Sequence, residues 1–249
     1  MTRTTRLGML TPSSNTVLEP VCAAMVAQVP GVTCHFGRFR VTEISLAAGA
    51  LGQFRHEPMV AAAQLLADAR VDVICWNGTS GGWLGMDSDR SLCAAVLAAT
   101  GIPATSSVLA LNDLLGRLPV TRLGLVSPYP ADIQDRVMHT FAAQGFECVS
   151  ERHLGIRDNA EFAAVADDAI VAMVREVAQE RPDAIVTFCT NMRAAPLVAE
   201  LERQTGIPIF DSTAAGLWGA LRVAGADATC VRGWGRMFSD THAYLGAID

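Results

Sequence analysis

The chain contains two copies of one pattern, and this internal repeat limits the folds open to it more than any other feature. Four short motifs of the first half recur in the same order in the second half. The matched segments are residues 6–13 with 122–129, 31–34 with 145–148, 72–75 with 183–186, and 100–103 with 205–208. Four landmarks in one order predict two halves that share one architecture.

Within each copy, apolar runs alternate with alanine-rich amphipathic stretches. Runs such as residues 7–10 and 123–126 are typical of buried parallel strands, whereas residues 60–69 and 170–179 have helical periodicity. This alternation predicts βαβ units. The predicted fold is therefore α/β, with two pseudo-symmetric halves, each a parallel sheet flanked by helices. Ligands of such sheets bind at the carboxyl ends of the strands, so we expect the active site between the halves.

Composition excludes several classes of function. Of the 249 residues, 51% are hydrophobic and 18% are charged, which is typical of a globular protein. A net charge of −6 argues against a nucleic-acid partner. The apolar runs are too short to span a bilayer, and we expect no signal peptide ahead of the first strand. Seven cysteines without a C-x-x-C pair predict reduced thiols, so we expect a cytoplasmic protein with no membrane partner.

The chain contains no lysine, and all 19 of its lysine-or-arginine positions are arginine. A Walker-type phosphate loop needs its lysine, and Schiff-base chemistry needs an amine, so both are excluded. No G-x-G-x-x-G follows a strand, and the five histidines lack the spacing of metal ligands. We therefore expect neither a cofactor nor a metal.

The first strand-to-helix turn carries Ser13, Ser14 and Asn15, ahead of a helix predicted over residues 17–28. Serine and asparagine are favoured helix N-caps, so plain capping is one interpretation. A single cap needs only one such residue, however. Hydroxyls, an amide and free helix N–H groups together also form a cradle for a carboxylate. The three residues are therefore candidates for substrate binding.

Two further turns offer hydrogen-bond donors. Gly78, Thr79 and Ser80 follow a very apolar strand, and the glycine-rich backbone there can approach a ligand closely. Tyr129 lies between two prolines that hold it stiffly, in the turn that matches the first one. Its phenol could donate to a substrate oxygen, and a packed tyrosine is the alternative. Thr79 and Ser80 are candidate binding residues, and Tyr129 is a candidate catalytic residue.

The fourth turn contains Cys189, Thr190 and Asn191, and the repeat register sets Gly78 opposite Cys189. A cysteine at the end of a strand and ahead of a helix experiences the N–H dipoles of that helix. We therefore expect a lowered pKa for the Cys189 thiol. Cys189 is the candidate proton-handling residue, with Thr190 and Asn191 as candidate binding residues.

The turns at residues 12–16, 78–80 and 189–191, together with residues 233–238, resemble the Asp/Glu racemase superfamily. Its arylmalonate decarboxylase and maleate cis-trans isomerase branches are the most similar. Racemases of this superfamily use two facing cysteines, one from each half. The isomerases resemble them, with the first-half cysteine as a nucleophile. Because Gly78 stands at that position, the resemblance points to the decarboxylases, which have one cysteine.

Carried over from the decarboxylases, the resemblance implies that Thr79, Ser80 and Tyr129 hold the retained carboxylate of a malonate-like or related small dicarboxylic acid. Cys189 would then protonate one face of the enediolate that remains when carbon dioxide departs, without a cofactor. Asn15, by contrast, resembles the isomerase branch and suggests a substrate more polar than an arylmalonate.

Two alternatives stay open. One is a maleate-type isomerase or Asp/Glu-type racemase that uses Cys189 with a partner other than cysteine, such as water or Tyr129. The other is a catalytically inactive protein that binds carboxylates. On the resemblance, residues 1–103 and 212–249 form the first half, and residues 104–211 form the second. A homo-oligomer is compatible with the sequence.

Overall fold

The computed structural model describes residues 4–239 and contains two four-stranded parallel sheets. The strands are β1 (Thr5–Pro12), β2 (Val32–Phe39), β3 (Val73–Trp76) and β4 (Ala104–Ser106) in the first sheet, and β5 (Arg122–Ser127), β6 (Glu147–His153), β7 (Ala184–Thr187) and β8 (Ile209–Asp211) in the second. The strand orders, β2-β1-β3-β4 and β6-β5-β7-β8, are one arrangement used twice. The predicted α/β fold with two similar halves is confirmed.

Helices connect and flank these strands. They are α1 (Leu18–Val26), α2 (Ala48–Leu51), α3 (His56–Asp68), α4 (Gly81–Leu84), α5 (Met86–Thr100), α6 (Ser107–Leu115), α7 (Ala131–Ala143), α8 (Asp167–Ala178), α9 (Val198–Thr205) and α10 (Ser212–Val223). The helix predicted over residues 17–28 is shorter than expected and ends at Val26. The stretches predicted at residues 60–69 and 170–179 fall within α3 and α8 to within one residue.

The recurring aspartates have the same structural role in both halves. The carboxylate of Asp72 accepts a hydrogen bond from the backbone N–H of Arg6 at 2.8 Å. The carboxylate of Asp183 accepts from the backbone N–H of Arg122, also at 2.8 Å. Asp72 precedes β3 and binds β1, and Asp183 precedes β7 and binds β5. Each aspartate therefore fixes the start of one strand against the neighbouring strand, which explains why this position recurs.

The recurring Thr-Gly-Ile-Pro motif ends a helix in both halves. Gly101 and Gly206 adopt left-handed backbone angles, with φ of 71° and 74°, directly after α5 and α9. The hydroxyls of Thr100 and Thr205 donate to carbonyls one turn earlier, at 2.7 and 2.8 Å. Glycine is favoured at this point because it lacks the Cβ that opposes a left-handed angle.

One correction concerns the border between the halves. The boundary predicted before Ala104 falls one strand too early, because β4 pairs with β3 as the edge strand of the first sheet. At the other end, β8 closes the second sheet, whereas the next helix, α10, packs on β3, β4 and α6. The remaining division of the chain stays a prediction, and residues 240–249 lie outside the described residues.

Candidate active site

A small cavity lies at the carboxyl ends of strands from both sheets. Its lining residues are Pro12, Val41, Ile44, Phe54, Trp76, Gly78, Thr79, Trp83, Tyr129, Asn159, Cys189 and Thr190. The space open to the centre of a water molecule is about 20 Å³, which is room for roughly one water. Because a dicarboxylate is much larger than a water molecule, the lining elements must move apart to admit one.

Cys189 follows β7 directly and is buried, with 1% of its surface exposed. Its Sγ accepts a hydrogen bond from the backbone N–H of Asn191 at 3.4 Å. Burial nevertheless raises the pKa of the Cys189 thiol to about 12, against the hydrogen bonds that lower it. The expectation of a lowered pKa is therefore wrong, since the cost of burying a thiolate exceeds the effect of the nearby N–H groups. The next α-helix, α9, begins only at Val198.

Tyr129 and Thr79 meet across the cavity. Their hydroxyl groups form a hydrogen bond of 2.5 Å between the turn after β5 and the turn after β3. The phenol is 2% exposed, and burial, followed by the electrostatic effect of Cys189, raises the pKa of Tyr129 well above its usual value. Tyr129 is therefore a neutral hydrogen-bond donor at any ordinary pH, beside a thiol that is also protonated.

Gly78 and Ser80 occupy different layers of the first-half turn. Gly78 lines the cavity together with Thr79. The side chain of Ser80 instead lies behind the lining, where its Oγ accepts a hydrogen bond from the Trp76 indole at 3.2 Å. Ser80 thus supports Trp76 in this form of the protein.

The polar side chains of the first turn make structural hydrogen bonds, and only Pro12 of this turn lines the cavity. Asn15 Oδ1 accepts from the N–H groups of Val17 and Leu18 at 3.0 and 2.9 Å, at the start of α1. Ser13 is exposed, and Ser14 donates to the Val41 carbonyl at 2.7 Å. None of the three predicted residues, Ser13, Ser14 or Asn15, is among those that line the cavity. Their predicted contact with a substrate stays a prediction.

Polar side chains of the fourth turn join the two halves. Thr190 Oγ1 accepts from Asn15 Nδ2 at 3.2 Å and donates to the Asn77 carbonyl at 2.9 Å. Asn191 Oδ1 accepts from the backbone N–H of Thr16 at 3.0 Å. Thr190 lines the cavity. Asn191 does not line it, and its hydrogen bond to Thr16 connects the two halves behind the cavity.

Asn159 also lines the cavity, although no sequence motif indicates it. It lies in the irregular segment after β6, is 5% exposed, and donates to Ser14 Oγ at 2.7 Å. This segment pairs with the irregular segment after β2, through a bridge between Glu43 and Asp158. Val41 and Ile44, which no motif indicated either, line the cavity from the segment after β2. The segments after equivalent strands therefore cover the cavity together, and no repeated motif marks either one.

Aromatic side chains form much of the apolar lining. Trp83 packs edge-on against Tyr129 and Phe54, with ring centroids 5.2 and 5.8 Å apart. Its indole Nε1 is buried and has no hydrogen-bond acceptor among residues 4–239. Phe188, the residue before Cys189, is fully buried and does not line the cavity. Trp83 therefore combines an apolar surface with an unused donor.

Within residues 4–239, no group of three or more His, Cys, Asp or Glu side chains is placed to hold a metal ion. Over the same residues, none of the helices has the length and apolar character needed to cross a membrane.

A model of the arylmalonate decarboxylase family matches residues 51–238. The chain belongs to the arylmalonate decarboxylase family. Proteins similar to this family member along nearly its whole length include enzymes of two kinds. The maleate isomerase of Nocardia farcinica is 30% identical over 226 residues, covering 87% of this chain and 89% of that protein. The arylmalonate decarboxylase of Bordetella bronchiseptica is 27% identical over 241 residues, covering 96% and 98%.

Solved structures of maleate isomerases and of arylmalonate decarboxylases share the fold of this chain. The Nocardia farcinica maleate cis-trans isomerase bound to TRIS has a TM-score of 0.85 at 26% identity, covering 96% of this chain and 99% of that chain. Unliganded arylmalonate decarboxylase has a TM-score of 0.76 at 26% identity, covering 94% and 99%. A mutant of the isomerase carries a covalently bound succinylcysteine intermediate. The relatives are thus enzymes that act on small carboxylates.

Proposed function

We propose that this chain is a cofactor-independent decarboxylase of a substituted malonate or a related small dicarboxylic acid. The observation that carries the proposal is the pairing of Cys189 with Gly78 in one cavity. Among the described residues, Cys189 is the only thiol in the lining. Cys75, the cysteine nearest the first-half turn in sequence, is buried in the core, with its Sγ 3.5 Å from the Gly216 carbonyl. With Cys189 as the acid on one side of the cavity, we expect the substrate to be protonated on one face only.

The lining also suits a reaction that creates an anion inside the protein. Its described residues carry no charged side chain, so the enediolate would be stabilised by neutral donors such as Thr79, Tyr129 and Asn159. Removing one aimed donor from such a site costs about 3–4 kcal/mol of transition-state stabilisation. The apolar residues Val41, Ile44 and Phe54 would weaken the solvation of a second carboxylate, which favours its departure as neutral carbon dioxide.

The proposed steps balance without a co-reactant. The bond between the α-carbon and one carboxylate breaks, its electron pair stays with the substrate as an enediolate, and carbon dioxide leaves. The Cys189 thiol then gives its proton to the α-carbon. The resulting thiolate takes a proton back from water, and the high pKa of Cys189 favours this return. Because the acid stands on one side only, we expect a single enantiomer of the product.

A maleate-type isomerase is the second candidate. Asn159 adds a polar amide to the lining, and the chain is 30% identical to a maleate isomerase. Such a reaction would use Cys189 with a partner other than cysteine. It would also keep both carboxylates of the substrate in a site without a charged lining residue, which is why we place it second.

The test is a substrate panel with a matched inactive control. The wild type and Cys189→Ala are incubated with maleate and with malonates that carry two different substituents, such as one aryl and one alkyl group, so that the product is chiral. Carbon dioxide release and chiral chromatography report decarboxylation, and fumarate absorbance reports isomerisation. Carbon dioxide with one enantiomer, lost in Cys189→Ala, is the expected result. Fumarate without carbon dioxide would favour the isomerase, and thermal stabilisation by dicarboxylates without turnover would indicate a binding protein.

A further inference from the structure

The ring of Trp76 occupies the space that any side chain at position 78 would need. A Cβ built on Gly78 would lie 2.1 Å from Cζ2 and 2.5 Å from Cη2 of the Trp76 indole. Real non-bonded carbons do not approach so closely. Gly78 is not among the glycines with left-handed backbone angles, so its conformation does not itself demand glycine. The indole is therefore what excludes a side chain here.

The Trp76 ring is held in place on several sides. It is the last residue of β3 and is 2% exposed. Its Nε1 donates to Ser80 Oγ at 3.2 Å, and its ring packs on Phe39 with centroids 5.0 Å apart. A residue introduced at position 78 would have to break these contacts to displace the ring.

The second half provides an internal comparison. Trp76 pairs with Leu10, and Thr187 pairs with Val126, at the same point of the two sheets. Two residues further on, the first half has glycine and the second half has Cys189. Thr187 is small, and its hydroxyl donates to Asp211 at 2.9 Å. In the second half, the small Thr187 leaves room for the thiol of Cys189 in the lining. In the first half, the large Trp76 is followed at the same distance by Gly78, which has no side chain.

We propose that Trp76 determines the type of reaction, because its indole fills the first-half position of a second thiol and leaves Cys189 as the sole proton donor. This inference rests on the proposed decarboxylation. The indole also lines the cavity on the Gly78 side, where it keeps water from the second face of the enediolate. Trp76 is therefore a specificity-determining residue, distinct from the residues that move the proton.

The experiment is a double-mutant cycle between positions 76 and 78. Gly78→Cys alone should lower Tm by about 5 °C, because overpacking a rigid site is destabilising. The double variant Trp76→Thr/Gly78→Cys copies the second half, and its Tm should exceed the additive expectation by about 5 °C. Gly78→Ala carries the same Cβ and replaces the cysteine variant if that variant fails to fold. Trp76→Thr with Gly82→Ala is the control, because a Cβ at Gly82 meets Phe188 instead, so this pair should be additive.

Activity is the second measurement. In D2O, the double variant should exchange the α-hydrogen of the enantiopure product and racemise it at least about tenfold faster than Gly78→Cys. Additive Tm values at positions 76 and 78 would overturn the inference. So would a rescued Tm without faster exchange, or a Gly78→Cys variant as active as the double variant. Failure of the proposed function shows separately, as a wild type that releases no carbon dioxide from any malonate, and the thermal coupling is measured in either case.

Discussion

The hydroxyl oxygens of Thr79 and Tyr129 lie 2.5 Å apart and link the two halves of the chain inside the cavity. A hydroxyl has one hydrogen to donate, so one member of this pair spends its hydrogen on the other. A substrate carboxylate could accept from both groups only by replacing this bond. The closed cavity therefore already uses, without ligand, one of the two hydroxyl hydrogens that a substrate would need.

Tyr129→Phe removes the phenolic donor and keeps the ring that packs on Trp83 and Phe162. We expect kcat for decarboxylation to fall about 10²–10³-fold, because one aimed donor is lost from a dry site. Thermal unfolding checks that the variant is folded. A kcat within about threefold of the wild type would remove Tyr129 from the proposed chemistry.

Cys189→Ser replaces the acid by a hydroxyl that donates its proton far less readily. We expect turnover to fall by at least about 10²-fold, with substrate binding retained, since proton transfer by a placed group contributes at least that much. Turnover numbers and equilibrium binding of an unreactive analogue measure the two effects. A serine variant with nearly full turnover would end the assignment of Cys189.

The raised pKa of Cys189, about 12, predicts how the thiol responds to pH. The protonated thiol is the active form, and a raised pKa keeps it protonated through the region near 9.0 where an ordinary thiol ionises. Activity should therefore not decline there on account of Cys189. Iodoacetamide should alkylate partly exposed Cys230 before Cys189, as peptide mapping can measure. Rapid labelling of Cys189 at neutral pH would contradict the prediction.

Asp89 predicts a pH dependence of stability. It is 1% exposed on α5, its Oδ2 has no partner among the described residues, and burial raises its pKa from 3.8 to about 7. Below about pH 4, Asp89 is protonated in both the folded and the unfolded chain, and the stability of the fold is fully present. As the pH rises from about 4 through about 7, the unfolded chain ionises more readily than the folded one, so the folded state loses stability. Asp89→Asn should therefore be more stable than the wild type at pH 8, by a few kcal/mol, and the advantage should shrink toward pH 4.

Urea unfolding at several pH values measures this difference. Asp87→Asn, an exposed acid of the same helix, is the matched control and should change stability by no more than about 0.5 kcal/mol throughout. An Asp89→Asn advantage that stays constant from pH 4 to pH 8 would show that ionisation is not its cause.

Arg70 and Arg181 occupy equivalent positions of the two copies and both have left-handed backbone angles, with φ of 53° and 47°. Such angles cost a residue with a Cβ about 1–2 kcal/mol. Replacing either by glycine should stabilise the protein by about 0.5–1 kcal/mol, after the entropy cost of glycine. Arg90→Gly, within α5, is the control and should destabilise by about 1 kcal/mol. Destabilisation by Arg70→Gly would show that the arginine side chain contributes more than the strain costs.

The architecture was predictable from the internal repeat, because residues that match in sequence have the same structural role. Asp72 and Asp183, for example, make the same hydrogen bond to the backbone of a neighbouring strand. Gly78, Thr79, Tyr129 and the fourth turn were found because strand ends of parallel sheets meet at one edge. Those signals are local and depend on short stretches of sequence.

Asn159 and Ile44 were not predictable, because they lie in irregular segments whose path depends on each other. The pKa of Cys189 depends on how deeply the folded protein buries the thiol, which spacing along the chain does not report. The contact between Trp76 and Gly78 depends on the orientation of one ring. These features are properties of tertiary packing, so no motif carries them.

Helix α10 follows the last strand of the second sheet but packs on β3 and β4 of the first. Every residue from position 212 to 221 is buried, so this helix supplies core that nothing earlier in the chain replaces. During synthesis, the first sheet must therefore wait with one face bare until the whole second sheet, which precedes α10 in the chain, has been made. Because residues of both halves line the cavity, it cannot form before that point.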